Sequence, residues 1–123
     1  MRLWQAMLVG AQRGPQVFGT WGDGHGGTCA MGAVMCGIGC EIDDVWNFNP
    51  FTQVRETFPE LKLFADCPDG QDCGNDTHLQ PLTLMEVIMH LNDRHKWSRQ
   101  RIAEWLSGDS VSAPKNVRQE ATV

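Results

Sequence analysis

The spacing of apolar residues predicts two short helices in the first third of the chain. One stripe recurs at three- and four-residue intervals within residues 2–12 and is made of Leu3, Trp4, Met7, Leu8 and Ala11. Gly14-Pro15 ends this helix, and a glycine-rich loop follows. We expect Thr28 to cap a second helix over residues 29–36, whose small side chains suit close packing against another element.

The middle of the chain is less regular. A helix of one or two turns is expected from Thr52 to Phe58, where Pro59 stops it. Residues 61–64 alternate between apolar and polar and predict a short strand leading to Cys67. Residues 67–80 contain almost no large apolar side chain, so this segment cannot order itself by packing.

The C-terminal half carries the strongest helical pattern. Thr83 and Glu86 form a capping box in front of a buried stripe made of Leu84, Val87, Ile88 and Leu91. Ser98 is expected to cap a second helix, in which Ile102, Trp105 and Leu106 face inward. Gly108 closes that helix, and a polar tail occupies residues 109–123.

Together these elements predict a small α-rich fold of the α+β class. We expect about five short helices in a single globular domain over residues 1–108, with a zinc knuckle inserted before the C-terminal helix pair. An isolated domain would leave the tail, residues 109–123, mobile unless another chain supplied a surface for it. Another chain could supply that surface, and we expect a protein partner or a homo-oligomeric assembly.

Composition and charge narrow the classes of function. The chain has 123 residues, of which 41% are hydrophobic and 20% charged, with a net charge of −5. An acidic chain is unsuited to gripping nucleic acid over a broad surface. No run of 18 apolar residues is present, which excludes a transmembrane helix, and the N-terminus has no secretion-signal pattern. Five cysteines without an export signal favour a reducing cytoplasm, where thiols more often bind metal than form disulfides.

The most informative constellation is Cys67, Cys73, His90 and His95, spaced as Cys-x5-Cys-x16-His-x4-His. Two thiolates and two imidazoles are the ligands of a structural, tetrahedral Zn²⁺ site, so the pattern predicts one zinc per chain. The first and central gaps are longer than in common two-Cys, two-His fingers. The alternatives are a ligand set that uses His78, or free cysteines with His95 continuing the apolar stripe. Because His90 and His95 would point about 140° apart on an ideal helix, the last helical turn must distort for both to reach one ion.

Two other sites are conceivable from the residues. Cys29 at a helix start, with His25 four residues before it, could form the nucleophile and base of a cysteine hydrolase, although a buried structural role is the preferred interpretation. The two C-terminal helices could form a helix-turn-helix DNA-binding regulator, with Arg99, Gln100 and Arg101 at the front of the recognition helix.

Two segments carry a resemblance to a protein family. Cys29-Ala30-Met31-Gly32-Ala33 is similar to the Cys-Ala-Leu-Gly-Ala helix of short, uncharacterised phage and bacterial proteins. The segment from Leu91-Asn92-Asp93 through Trp97-Ser98-Arg99 to Ile102-Ala103-Glu104-Trp105 resembles the C-terminal helix pair of the same group. The resemblance covers about a quarter of the chain and implies a shared helical scaffold without an established activity.

From the residues and this resemblance we expect a non-enzymatic, zinc-stabilised binding or structural module, similar to those of phages or mobile elements. It would act through protein–protein contacts, as a virion component or a host-targeting accessory protein. Its place would be the host-cell cytoplasm or the virion. The DNA-binding regulator and the Cys29/His25 hydrolase are the alternative functions.

Overall fold

The fold is α-rich with one minimal sheet, as the sequence predicts. The computed structural model describes residues 1–40, 49–69 and 82–108, and within these ranges it has five α-helices, a 3₁₀ helix and two strands. The helices are α1 (Leu3–Ala11), α2 (Ala30–Gly37), α3 (Asn49–Thr57), α4 (Leu84–Asp93) and α5 (Arg99–Ser107). The 3₁₀ helix spans Pro59–Lys62, and β1 (Phe64–Ala65) pairs antiparallel with β2 (Leu82–Thr83).

Helices α1 and α2 pack against each other through small residues. A Cβ atom added to Gly10 of α1 would overlap the carbonyl oxygen of Ala33, and one added to Gly37 of α2 would overlap that of Ala6. Gly10, near the end of α1, meets Ala33 in the first half of α2, whereas Ala6, in the first half of α1, meets Gly37 at the end of α2. The two helices therefore run antiparallel. Their backbones are therefore in direct contact, which explains the small residues of this region.

The helix ends confirm most of the predicted capping. Thr83 and Glu86 form the predicted capping box at the start of α4, and the Ser98 hydroxyl accepts a hydrogen bond from the backbone N–H of Arg101. Gly108 ends α5 in the left-handed conformation, with φ of 88°. The prediction for α2 was wrong by one residue. Its cap is Cys29, whose sulfur accepts from the N–H of Gly32 at 3.3 Å.

Two central elements differ from their predicted bounds. Helix α3 begins at Asn49, three residues before the expected cap Thr52. The expected strand over residues 61–64 is mostly a 3₁₀ turn that starts at Pro59 and buries Leu61, and the chain becomes a strand only at Phe64. Proline suits the first position of such a turn because its missing N–H needs no partner there.

A single core joins all five helices. Its largest fully buried side chains are Met7, Met31, Val34, Met35, Val54, Leu61, Leu84, Val87, Ile88, Leu91, Ile102 and Trp105. Cys29, Cys36 and Cys40 are buried, which agrees with the structural role preferred for Cys29 from the sequence. Within the described residues, no helix is long and apolar enough to cross a membrane.

The loop between α1 and α2 is held by the C-terminal helices. The Asn92 side chain, buried in α4, accepts from Gln16 Nε2 at 2.6 Å and from the Ala30 N–H at 3.0 Å, and it donates to the Val17 carbonyl at 3.0 Å. Arg99 donates to the Gly14 carbonyl at 2.7 Å. These hydrogen bonds join residues that are distant in sequence. They fix the orientation of α4, the helix that contains His90.

Candidate metal centre

Three of the four predicted metal ligands lie close together in the structure. Cys67 follows β1, His90 lies in the last turns of α4, and His95 lies just beyond the end of that helix. One donor atom from each of the three side chains lies within 4.8 Å of the other two, and all three residues are half-buried. The fourth predicted ligand, Cys73, and the alternative ligand His78 lie outside the described residues.

The distances between these donor atoms suit a tetrahedral ion. His95 Nε2 lies 3.0 Å from His90 Nε2 and 3.6 Å from Cys67 Sγ. With Zn–N bonds of about 2.05 Å and a Zn–S bond of about 2.3 Å, tetrahedral angles place two nitrogens about 3.3 Å apart and a sulfur and a nitrogen about 3.6 Å apart. Both distances from His95 Nε2 are therefore within about 0.3 Å of the tetrahedral values, and all three donor atoms lie within 4.8 Å of one another.

The end of α4 explains how both histidines reach the same point. The helix ends at Asp93, and the backbone N–H of His95 bonds to the carbonyl of His90, five residues earlier, at 3.4 Å. Lys96 then adopts a positive φ of 58°. This widened last turn brings the two rings to a centroid distance of 4.7 Å, so the distortion expected from the sequence is confirmed.

Two residues that the sequence reasoning missed adjoin the site. The Asp69 carboxylate oxygen Oδ2 lies 3.3 Å from His95 Nδ1 and accepts a hydrogen bond from Trp97 Nε1 at 2.8 Å. Asp69 lies two residues after Cys67, and Trp97 lies two residues after His95. An acidic side chain so near a predicted ligand was the available signal, because histidines that bind metals commonly donate their second nitrogen to a carboxylate.

The second predicted cluster, around Cys29, lacks the features of an activated nucleophile. Burial raises the pKa of the Cys29 thiol to about 11, so the thiol is protonated at neutral pH. Among the described residues, no contact joins Cys29 to His25. The glycine-rich loop is instead ordered by Asp23, whose carboxylate accepts from the backbone N–H groups of His25 and Gly27, and these hydrogen bonds lower its pKa. Cys29 serves in the structure as a helix cap.

The residues that would contact DNA in a helix-turn-helix protein have partners within this chain. Arg99 donates to the Thr28 hydroxyl at 3.0 Å as well as to the loop carbonyl of Gly14. Gln100 donates to Glu104, and the Arg101 guanidinium stacks on the Trp97 ring at 3.7 Å. All three side chains at the front of α5 therefore contribute to contacts of the fold itself.

Comparisons of this chain with protein-family models, with curated proteins and with solved structures found no match. What the chain does is accordingly inferred from the chemistry of its own residues. The convergent thiol and imidazole groups of Cys67, His90 and His95 are the arrangement with the most specific chemistry among the described residues.

Proposed function

We propose that this protein is a zinc-stabilised, non-enzymatic binding or structural module. The observation that carries the proposal is the convergence of Cys67 Sγ, His90 Nε2 and His95 Nε2. A mixed set of sulfur and imidazole nitrogen in tetrahedral spacing favours Zn²⁺ over the hard cations Mg²⁺ and Ca²⁺, which prefer oxygen ligands.

The proposed fourth ligand is Cys73, with His78 as the alternative, giving one structural zinc per chain. A second thiolate neutralises the charge of the ion, and a closed set of four protein ligands is typical of structural sites. The ion would fasten the segment that follows β1 to the end of α4. That segment, residues 67–80, has few large apolar residues, so a metal would supply the order that packing cannot.

We propose that the ordered module acts by contacting another protein, as a virion component or a host-targeting factor of phage type. Support comes from the net charge of −5 and from the internal use of Arg99 and Arg101, which together disfavour nucleic acid as the main partner. The phage-like setting rests on the resemblance of the Cys29–Ala33 and Leu91–Trp105 segments alone.

The experiment that tests this function is thermal unfolding of the purified protein with and without a metal chelator. We expect the chelator to lower the unfolding temperature and added Zn²⁺, but not Mg²⁺, to restore it. Cys67→Ser should remove this response. Cys40→Ser changes a buried cysteine that does not belong to the group of Cys67, His90 and His95, so it should lower stability but keep the response. If neither the chelator nor added zinc changes the unfolding temperature of the wild-type protein, the proposal is contradicted.

A further inference from the structure

We propose that Asp69, held by the Trp97 indole, positions His95 for the metal by fixing which ring nitrogen carries the proton. This inference rests on the proposed metal site and adds two positioning residues to it. Neither residue supplies a donor atom to the group of Cys67, His90 and His95. Their role follows from which side of the imidazole each neighbour occupies.

The two nitrogens of His95 face different partners. Nδ1 faces Asp69 Oδ2 at 3.3 Å, whereas Nε2 faces His90 Nε2 at 3.0 Å and Cys67 Sγ at 3.6 Å. Nδ1 and Nε2 point outward in different directions from the ring, so the carboxylate and the proposed ion lie on opposite edges of it. An ionised carboxylate can only accept hydrogen bonds, and it therefore stabilises the tautomer with the proton on Nδ1. That tautomer leaves the Nε2 lone pair directed at the metal.

The carboxylate is itself held in place. Trp97 Nε1 donates to the same oxygen, Oδ2, at 2.8 Å. Trp97 is only 4% exposed, its backbone N–H donates to the Leu91 carbonyl, and the Arg101 guanidinium covers one face of its ring at 3.7 Å. The buried indole thus holds Asp69 beside His95, because a change in its orientation would break the Nε1 hydrogen bond and the Arg101 contact.

Substitutions of Asp69 and Trp97 should therefore weaken zinc binding. The affinity is measured on the full chain by competition with a chromogenic chelator. Asp69→Ala should weaken zinc binding by about 10- to 100-fold. Trp97→Phe, which keeps the ring and loses the N–H donor, should weaken it by about fivefold. Asp69→Asn keeps the shape of the side chain and should fall between the wild type and Asp69→Ala, which covers the case in which Asp69→Ala does not fold.

Two controls separate positioning from other roles. Asp66→Asn removes the same charge one residue before Cys67 from an exposed side chain, and it should leave zinc affinity within about twofold of wild type. Cobalt(II) bound to Asp69→Asn should keep the wild-type thiolate charge-transfer and ligand-field bands, because the ligand set is unchanged. Altered bands would make Asp69 a ligand and overturn the positioning role.

Unchanged zinc affinity in both Asp69 variants, or an equal loss in Asp66→Asn, would also overturn the inference. These results differ from failure of the proposed function, in which the wild-type protein itself binds no zinc. In that case the Asp69 variants would show no affinity to compare, and the positioning role would be overturned together with the metal site.

Discussion

The Nε2 atoms of His90 and His95 lie 3.0 Å apart although the two residues are five positions apart around the end of a helix. A regular helix would direct them about 140° apart. The chain leaves the α-helical path after Asp93 and turns sharply at Lys96, whose φ is positive. A conformation that side-chain-bearing residues rarely adopt costs free energy, and here it accompanies the convergence of two imidazoles on one point.

Helix packing between α1 and α2 gives the first prediction. If the position were open, Gly10→Ala would stabilise α1 by about 1 kcal/mol, because alanine has a higher helix propensity than glycine. Because the new Cβ would overlap the Ala33 carbonyl oxygen, which is backbone and cannot rotate away, we expect the free energy of unfolding to decrease by about 2–4 kcal/mol. Urea denaturation measures this change.

Val9→Ala is the neighbouring control, because Val9 is 39% exposed and its truncation should cost less than about 1 kcal/mol. A Gly10→Ala protein at least as stable as the wild type would show that the two backbones are not in contact.

The second prediction concerns Asn92, which is fully buried in α4. Asn92→Ala would leave the Ala30 N–H and the Val17 carbonyl without their side-chain partner, and we expect it to lower the free energy of unfolding by about 3 kcal/mol. Gln100→Ala removes an exposed amide from the next helix and should change stability by less than about 0.5 kcal/mol. Chemical denaturation of both variants gives the comparison, and equal stabilities would contradict the role of Asn92 in holding the loop.

The third prediction is a dependence of stability on alkaline pH through Cys29. Burial raises the pKa of its thiol from 9.0 to about 11, so the folded state holds this proton more tightly than the unfolded state. The resulting stabilisation is complete below pH 9 and is lost as the pH rises from about 9 to 11, by at most about 3 kcal/mol. The chain has no tyrosine, so this residue type adds no titration in that window.

Cys29→Ser is the matched control, because a serine hydroxyl can cap α2 in the same way and does not titrate there. Denaturant unfolding between pH 8 and 11 should show a steeper loss of stability for the wild type than for Cys29→Ser. Parallel curves would mean that the thiol is not protected by burial.

Local sequence signals predicted the helices because their causes lie within a few residues, whereas the group of Cys67, His90 and His95 was predicted from residue type, since thiol and imidazole side chains are typical metal ligands. The Thr83–Glu86 capping box and Gly108 act on adjacent backbone groups, so their patterns are visible in one dimension. The contacts of Asp69 were missed because they join residues 26 and 28 positions away. Apart from the position of Asp69 two residues after Cys67, nothing in the sequence marks these contacts, and only the fold brings Asp69, His95 and Trp97 together.

The cap of α2 was misassigned for a different reason. Thr28 is a stronger capping residue than cysteine, but its hydroxyl accepts from Arg99 and its backbone N–H bonds to the Pro15 carbonyl. A distant arginine therefore determines the function of this side chain, and the helix begins one residue later with the Cys29 sulfur as its cap.

The most direct test of the account is the zinc content of the purified full chain, measured by elemental mass spectrometry against protein concentration. The proposed site predicts one zinc per chain in the wild type. Cys73→Ser and His95→Ala should each contain far less zinc and be less stable, whereas His78→Ala should retain the full amount. A wild-type protein that is free of metal, yet keeps its helicity and unfolds at the same temperature after zinc is added, would contradict the metal site.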